Sequence, residues 1–258
     1  MDIRDAVRER YGSIASSDGG CCGGGCGCGC GDGGGASALG YTEDQEKAIP
    51  QGSNLNLGCG NPLGHAAVRP GETVLDLGSG AGIDVFLASR EVGPTGRAIG
   101  VDMTPAMISR ARKNAAEGGY ANVEFRLGEI ENLPVADQSV DLIISNCVIN
   151  LSPAKPRVFA EAMRALRPGG RMVVSDLVLT RPLPDEVRRS VEAYVGCVAG
   201  AMREEEFLAA MRTAGFDEVE ILEQRGYATG GTAALPDVSA DAWSAVRSIK
   251  VRGVKPRH

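Results

Sequence analysis

A regular alternation of strand-like and helix-like segments between residues 70 and 176 constrains the fold of this chain most strongly. Helical patterns follow the first, second and fourth of five apolar runs. Such alternation is typical of βαβ units, whose parallel strands are joined by right-handed crossovers. The sequence therefore predicts an α/β fold with a mostly parallel sheet. The five predicted strands are ETVLDLG, GRAIGVDM, NVEFRLGE, SVDLIISNCVI and RMVVSDLVL.

The first predicted strand runs into a glycine-rich loop, DLGSGAG, at residues 76–82. Glycines allow a tight turn and a close approach of the backbone to a ligand. Asp102 ends the next strand, 20 residues after Gly82, and this spacing suits a carboxylate that binds the hydroxyls of a ribose. The third glycine stands at position 82 rather than 83, so the loop differs from the dinucleotide-binding fingerprint. Asp76, just before the loop, would lie near a cationic ligand.

Cysteine is unusually frequent, with eight residues, and five of them fall between positions 21 and 30 in a run interrupted only by glycine. The other three are Cys59, Cys147 and Cys197, which are far apart in sequence. A cytosolic chain keeps its thiols reduced, so this content suggests a soft metal, a metalloid or redox chemistry rather than a disulfide framework. Three unrelated core cysteines are an alternative, because free cysteine packs as a small hydrophobic residue. Structural zinc is a weaker interpretation, since it needs four ligands.

Charge and hydropathy argue against several other classes of protein. The 258 residues carry 27 basic and 33 acidic side chains, a net charge of −6, without a basic run, so nucleic-acid binding is not expected. No apolar stretch approaches the roughly 18 residues of a membrane span. The charged start, MDIRDAVRERYG, lacks the apolar region of a signal peptide. The expected location is the cytoplasm, with no membrane partner.

Seven segments together resemble the class I S-adenosylmethionine-dependent methyltransferases, and more closely the arsenite methyltransferases. The similarity covers residues 40–255. Cysteines in three of these segments distinguish the arsenite methyltransferases from class I methyltransferases in general. The segments are LGCGNP (57–62), VLDLGSGAGIDVFLAS (74–89), GVDMT (100–104), FRLGEIENLPV (125–135), ISNCVINLSP (144–153), LRPGGRMVVSD (166–176) and YVGCVAGA (194–201).

The resemblance implies a class I methyltransferase Rossmann-like sheet that binds S-adenosylmethionine at the carboxyl ends of its strands. Asp102 would bind the ribose hydroxyls, Met103 would pack on the adenine, and Asn146 would lie where the methyl group is presented. The end of the third strand would offer further contacts to the adenine. The expected cofactor-binding residues are Asp76, Gly78, Ser79, Gly80, Gly82, Asp102, Met103, Glu129, Ile130 and Asn146.

The resemblance also implies that Cys59, Cys147 and Cys197 together bind As(III) and act as the catalytic residues. Three thiolates would hold arsenic in a trigonal pyramid and leave its lone pair free to attack the methyl group, so that no general base is required. We expect these thiols to be partly exposed, in a setting that stabilises the thiolate. The implied activity is arsenite methylation, a detoxification reaction in which glutathione or thioredoxin supplies reducing equivalents; thioredoxin would be a partner.

The chain divides into three expected regions. Residues 1–40 form a flexible Gly/Cys-rich segment whose first 15 residues favour a short helix, and removal of residues 1–36 is expected to leave the fold stable. Residues 41–179 form the cofactor-binding methyltransferase domain, and residues 180–258 complete the sheet and cap the arsenic site. The five cysteines between positions 21 and 30 either bind metalloid and relay thiols or belong to a disordered tail. Two other functions remain open, namely methylation of an organic acceptor and metalloid binding without catalysis.

Overall fold

The computed structural model describes residues 2–16, 39–226 and 239–257. Its strands are β1 Thr73–Leu77, β2 Arg97–Asp102, β3 Val123–Leu127, β4 Val140–Asn146, β5 Leu166–Leu179, β6 Met202–Arg203, β7 Asp217–Gly226 and β8 Val246–Val254. They form one sheet in the order β3-β2-β1-β4-β5-β8-β7, with β6 beside β5. Strands β1 to β5 are parallel, while β8 pairs with β5 and β7 in antiparallel fashion. The predicted α/β fold with a mostly parallel sheet is confirmed.

Helices cover both faces of this sheet. They are α1 Ile3–Ser16, α2 Glu43–Lys47, α3 Ile83–Val92, α4 Pro105–Glu117, α5 Lys155–Ala165, α6 Asp185–Arg189, α7 Val191–Val195, α8 Glu204–Thr213 and α9 Ala240–Ser244. Successive residues of β4 face opposite layers: Ile143 packs with Phe159 of α5, and Ile144 packs with Phe86 of α3. A central parallel strand covered on both faces reads as a continuous apolar run, and this is why β4 could be located from the sequence.

Two local signals set the ends of α4. Proline at the first helical position, Pro105, has the backbone angle that a helix start requires and lacks only an N–H that would be unpaired there. At the other end the cap is Gly118, and Gly119 follows with a left-handed φ of 66°. The helix therefore begins directly after β2 and ends where the sequence predicts.

The segment after residue 179 continues the same sheet. It contributes β7 and β8 as antiparallel strands, and the short helices α6 and α7 lead to Cys197. Trp243 of α9 is buried in an apolar cluster that also contains Cys59 and Cys197. The division of the chain into three regions stays a prediction.

Residues 2–16 are packed on the rest of the protein, whereas the sequence predicts a flexible segment for residues 1–40. Residues 3–16 form a helix, α1, that packs on α4 and α7, and Val7 is only 2% exposed. Apolar burial on this one face supplies the packing that the composition of the tract did not reveal. The cysteines between positions 21 and 30 lie outside the described residues. Within the described residues, no helix has the length and apolarity that a membrane span requires.

Candidate active site

A pocket lies at the carboxyl edge of β1, β2 and β4, which is the edge where open α/β sheets bind ligands. Helix α1 contributes Arg4, Val7 and Tyr11 to its wall, a contribution that the sequence did not predict. Two expected cofactor residues, Gly82 and Glu129, are not part of this wall. The expected cofactor residues that do line it are Asp76, Gly78, Ser79, Gly80, Asp102, Met103, Ile130 and Asn146.

The glycine-rich loop after β1 has its backbone in left-handed conformations that favour glycine. The φ angles are 69° at Gly78 and 52° at Gly80. A Cβ atom added to Gly78 would lie 2.5 Å from Val148, whereas at Gly80 no atom lies within 4 Å. Gly80 therefore keeps backbone exposed to the open pocket, and Gly78 lets the loop pass the turn after β4.

Gly82 has a packing role rather than a place in the pocket. Its φ is 103°, and an added Cβ atom would lie 2.7 Å from both Phe125 and Phe86. The residue is the N-cap of α3 and brings that helix close to the neighbouring strands. Gly82 does not line the pocket, and its expected role in cofactor binding stays a prediction.

Asp102 ends β2 at the floor of the pocket. One carboxylate oxygen accepts a hydrogen bond from the backbone N–H of Gly80 at 3.0 Å, and the other accepts one from Thr104 at 2.8 Å. Burial raises the pKa of Asp102, while these backbone hydrogen bonds lower it. The two amides fix the orientation of the carboxylate and leave acceptor capacity on both oxygens for a ligand hydroxyl.

Glu129 does not line the pocket. Its carboxylate pairs with Arg8 of α1 at 2.6 Å, an ion pair that helps to hold α1, and its expected adenine contact stays a prediction. Glu131, two residues later, does line the pocket and is 6% exposed. It accepts hydrogen bonds from Ser152 at 2.6 Å and Arg4 at 3.3 Å. Sequence reasoning missed Glu131, because α1 was not expected to dock here.

Two further buried acidic residues, Asp76 and Asp84, line the pocket, where acidic side chains outnumber basic ones. Burial, with the charges of Asp84 and Asp102, raises the pKa of Asp76 well above its usual value. Burial also raises the pKa of Asp84 to about 6, although hydrogen bonds from Tyr41 and Asn146 lower it. Within the described part of the chain, neither carboxylate has a salt bridge. Such a pocket suits a cationic ligand, and its Asp84 stands in the first turn of the helix after the glycine loop.

Three cysteines from distant segments meet beside this pocket. The Sγ atoms of Cys59 and Cys147 and a carboxylate oxygen of Asp176 all lie within 4.8 Å of one another. Cys197 donates from Sγ to the carbonyl oxygen of Cys147 at 3.0 Å. The Cys147 thiol lies close enough to the thiols of Cys59 and Cys197 that the three affect one another's pKa. Of the three, Cys147 lines the pocket, so it joins the thiol cluster to the ligand site.

Two of the three cysteines have strained backbones. The φ angles are 57° at Cys147 and 65° at Cys197, in the left-handed region that non-glycine residues rarely adopt. Such a conformation costs on the order of 1–3 kcal/mol and persists only where the surrounding structure imposes it. Here the backbone N–H of Cys147 donates to the carbonyl oxygen of Ser175 at 2.8 Å, and the backbone N–H of Cys197 donates to the carbonyl oxygen of Tyr194 at 2.9 Å. The strain coincides with the two residues whose thiols must turn toward one point.

The thiols are more buried than the sequence predicts. Cys59 is 8% and Cys197 is 4% exposed, and burial raises the pKa of Cys59. The pKa of Cys197 is raised well above its usual value, mainly by its interaction with the Cys147 side chain and secondly by burial. For Cys147, the hydrogen bond with Cys197 lowers the pKa, but the hydrogen bond with Cys59 and burial outweigh it. The free protein therefore holds three protonated thiols, not the stabilised thiolates that were expected.

Asp176 is a buried residue of the site that sequence reasoning missed. It is fully buried on β5 and accepts hydrogen bonds from the N–H groups of Leu177 at 2.8 Å and Ile149 at 3.1 Å, and from the amide of Asn150 at 2.8 Å. Burial raises its pKa to about 7, and the hydrogen bonds oppose that rise. The only signal in the sequence was an acidic residue within the apolar run RMVVSDLVL.

Comparison with known proteins gives two independent findings. A family model described as a methyltransferase domain matches residues 68–225. The solved structure of an arsenic(III) S-adenosylmethionine methyltransferase from Chlamydomonas reinhardtii is similar to this chain with a TM-score of 0.68 and 36% sequence identity. That similarity covers 85% of this chain and 73% of the other.

Two curated relatives are named arsenite methyltransferase. The protein from Halobacterium salinarum is 53% identical over 229 residues, which is 85% of this chain and 59% of the relative. The protein from Aquipseudomonas alcaligenes is 40% identical over 217 residues, which is 80% of this chain and 62% of the relative. The chain thus spans three fifths of the length of these two relatives.

Proposed function

The chain belongs to the arsenite methyltransferase family, and on this premise we propose that it transfers a methyl group from S-adenosylmethionine to As(III) bound by Cys59, Cys147 and Cys197. The observation that carries the proposal is that Cys147, at the wall of an acidic pocket, has the Cys59 sulfur within 4.8 Å of its own sulfur and the Cys197 sulfur 3.0 Å from its carbonyl oxygen. Soft sulfur ligands suit a thiophilic centre such as As(III). The surrounding apolar cluster, which includes Leu151 and Trp243, buries Cys59 and Cys197.

Binding of As(III) does not require thiolates in the free protein. When arsenite, As(OH)₃, reacts with three thiols, three As–S bonds form, and each hydroxide leaves as water with the proton of the thiol it replaces. The reaction is neutral in protons, so the raised pKa values of the three cysteines are compatible with it. Three sulfur ligands leave one lone pair on arsenic. Because Cys147 stands at the pocket wall, this lone pair can be directed toward the pocket.

The pocket residues fit S-adenosylmethionine by their chemistry. The cofactor carries a sulfonium cation, an amino group and a ribose diol; when bound, it supplies an electrophilic methyl group. The buried carboxylates of Asp76 and Asp84, without a salt bridge in the described chain, would hold the cationic part. Asp102 would accept hydrogen bonds from the ribose hydroxyls, with Met103 and Ile130 against the adenine. The chain contributes alignment of the two reactants, which can lower a barrier by about 7–11 kcal/mol in favourable cases.

In the methyl transfer an As–C bond would form as the S–C bond of the sulfonium breaks, and S-adenosylhomocysteine would leave. Methylation raises arsenic formally from As(III) to As(V), so two electrons are needed before a further methylation. Two thiols can supply them by forming one disulfide. We assign this role to glutathione or to thioredoxin, the latter as a protein partner, and we place the reaction in the cytoplasm, where thiols are kept reduced. The product is a methylated arsenical that leaves the site.

Arsenic speciation tests the proposal. Purified full-length protein is incubated with arsenite, methyl-labelled S-adenosylmethionine and glutathione, and the arsenic species are separated and counted for label. We expect labelled methylarsenicals with wild type and none with Cys147→Ser. Tight As(III) binding without labelled product would favour a binding protein. Label transferred only to an organic acceptor would show a different methyltransferase.

A further inference from the structure

The side chain of Asn146 binds the backbone of the loop segment that carries Cys59. Its Oδ1 accepts a hydrogen bond from the N–H of Cys59 at 3.1 Å, and its Nδ2 donates to the carbonyl oxygen of Gly60 at 2.7 Å. Asn146 is the last residue of β4 and directly precedes Cys147. One amide therefore connects the segment carrying the first thiol to the strand carrying the second.

The Cys59 segment is shaped to accept this contact. A Cβ atom added to Gly58 would lie 3.0 Å from both Oδ1 and Nδ2 of Asn146, at a φ of 141°. An added Cβ atom at Gly60 would lie 2.2 Å from Ser175 Oγ. The two glycines that flank Cys59 thus let its backbone approach β4 and β5. The hydroxyl of Ser248 on β8 also fixes this segment, because it donates a hydrogen bond to the Cys59 carbonyl oxygen at 2.9 Å.

The amide has a further partner on the cofactor side. Nδ2 of Asn146 lies 3.1 Å from the hydroxyl of Tyr41, and that hydroxyl donates to Asp84 at 2.9 Å. The Nδ2 group has two hydrogens: one is donated to Gly60, and the other points to the Tyr41 oxygen, with Asp84 Oδ2 as a longer second acceptor at 3.5 Å. Oδ1 accepts from Cys59. Only a side chain that donates and accepts at once satisfies this arrangement, so aspartate or an apolar residue cannot replace it.

We propose that Asn146 is a positioning residue of the arsenic site, which fixes the Cys59 thiol beside Cys147, in addition to lining the cofactor pocket. This inference rests on the proposed function. It explains how Cys59, in a loop without regular structure, is held within 4.8 Å of the Cys147 sulfur. Cys197 is held differently, through its contact with the Cys147 carbonyl oxygen. Loss of the Asn146 amide should release Cys59 alone.

The test compares Asn146→Ala with wild type for two arsenicals. Arsenite uses three thiols, whereas phenylarsenite, which carries one As–C bond, uses two. Protection of Cys59, Cys147 and Cys197 from alkylation, resolved by peptide mass spectrometry, reports binding at this site apart from the cysteines at positions 21–30. We expect the apparent affinity for arsenite to fall about tenfold or more, because leaving buried backbone groups unpaired is costly. The affinity for phenylarsenite at Cys147 and Cys197 should be retained.

Steady-state kinetics supply the second readout. Asn146→Ala should raise the KM for arsenite more than the KM for S-adenosylmethionine, and Asp102→Ala should do the reverse. Ser248→Ala, which removes a weaker contact to the same loop, should show an intermediate loss of arsenite affinity and serves if Asn146→Ala does not fold. Wild-type affinity for arsenite in both variants, or an equal loss for both arsenicals, would overturn the positioning role. Absence of arsenite binding by wild type would overturn the proposed function itself, and this inference with it.

Discussion

The Sγ atom of Cys197 lies 3.0 Å from the backbone carbonyl oxygen of Cys147, although the two residues are 50 positions apart in the chain. Both residues have left-handed backbones, which turn the two segments toward each other. These two cysteines form one directly connected half of the site. Cys59 joins them from a loop that is held by side chains of other elements.

Replacement of any one cysteine of the site by serine should abolish most arsenite methylation. Serine keeps the shape but replaces a soft sulfur donor by a hydroxyl that stays protonated. Since the three thiols act as one unit, double replacements should add little to the loss. Cys59→Ser should spare methylation of methylarsenite, which needs only two thiolates and can use the Cys147–Cys197 half. Arsenic speciation with both substrates measures this; full arsenite activity in one variant would remove that cysteine from the site.

Asp102→Ala should weaken binding of S-adenosylmethionine and leave As(III) binding nearly unchanged. Hydrogen bonds to a charged acceptor contribute about 1.5–3 kcal/mol, so a loss of about tenfold or more in affinity is expected. Isothermal calorimetry with S-adenosylhomocysteine measures the effect, and a thermal melt of the variant controls for loss of the Gly80 and Thr104 contacts. Unchanged affinity would show that Asp102 does not bind the ribose.

Deletion of residues 2–16 should destabilise the protein, contrary to the expectation from composition. The helix buries Val7, forms ion pairs to Glu129 and Glu131, and its Tyr11 hydrogen-bonds to the Cys197 thiol. Loss of one buried apolar side chain costs about 1.5–3 kcal/mol, and each 1 kcal/mol lowers the Tm by about 2–4 °C at this size. A fall of about 3–12 °C is therefore expected in a thermal melt.

The matched control for this deletion is Arg8→Gln, which removes the partly exposed ion pairs of Arg8 with Glu129 and Asp5 and leaves the rest of the helix in place. Such a pair contributes about 0–1 kcal/mol, so the Tm should change little. Overlapping melts of the deletion and wild type would show that α1 adds no stability.

Alkylation of the three site cysteines should increase with pH through a midpoint above that of an ordinary thiol. The thiolate is the reactive form, and a raised pKa means that fewer thiolates are present at neutral pH and more form only as the pH rises further. Iodoacetamide rates for each cysteine, read by peptide mass spectrometry, give the profile. Glutathione in the same tube, with an ordinary thiol pKa of about 8.5, is the reference. If the alkylation rate of a site cysteine stops rising at a pH below the midpoint for glutathione, the pKa of that thiol is not raised. Poor access of iodoacetamide would slow the alkylation rate at every pH without moving its midpoint.

Local sequence patterns were sufficient to predict the strands and helices of the central sheet. The strands β1 to β5 are apolar runs, and glycine or proline marks the ends of helices such as α4, so element type and order follow from short segments. Parallel strands bring their carboxyl ends to one edge, and this rule placed Asp102 and Asn146 near each other. The three cysteines stand out in the sequence because they fall in segments that resemble those of arsenite methyltransferases.

Residues that depend on long-range packing could not be predicted in this way. Arg8 and Glu129 are 121 positions apart, and nothing near either of them in sequence indicates their ion pair. With α1 packed in place, the Glu129 carboxylate pairs with Arg8, and Glu131 lines the pocket. The raised thiol pKa values have a similar origin, because burial of Cys59 and Cys197 results from α1, α7 and α9 closing around them.

The coordination of bound arsenic tests the central claim most directly. X-ray absorption at the arsenic edge is measured on protein loaded with one equivalent of arsenite, with the five cysteines at positions 21–30 replaced by serine so that only the three site thiols remain. The account predicts three sulfur ligands and no oxygen ligand for this protein, and loss of one sulfur in Cys59→Ser. Arsenic bound by fewer than three sulfurs before any replacement, or not bound at all, would contradict it.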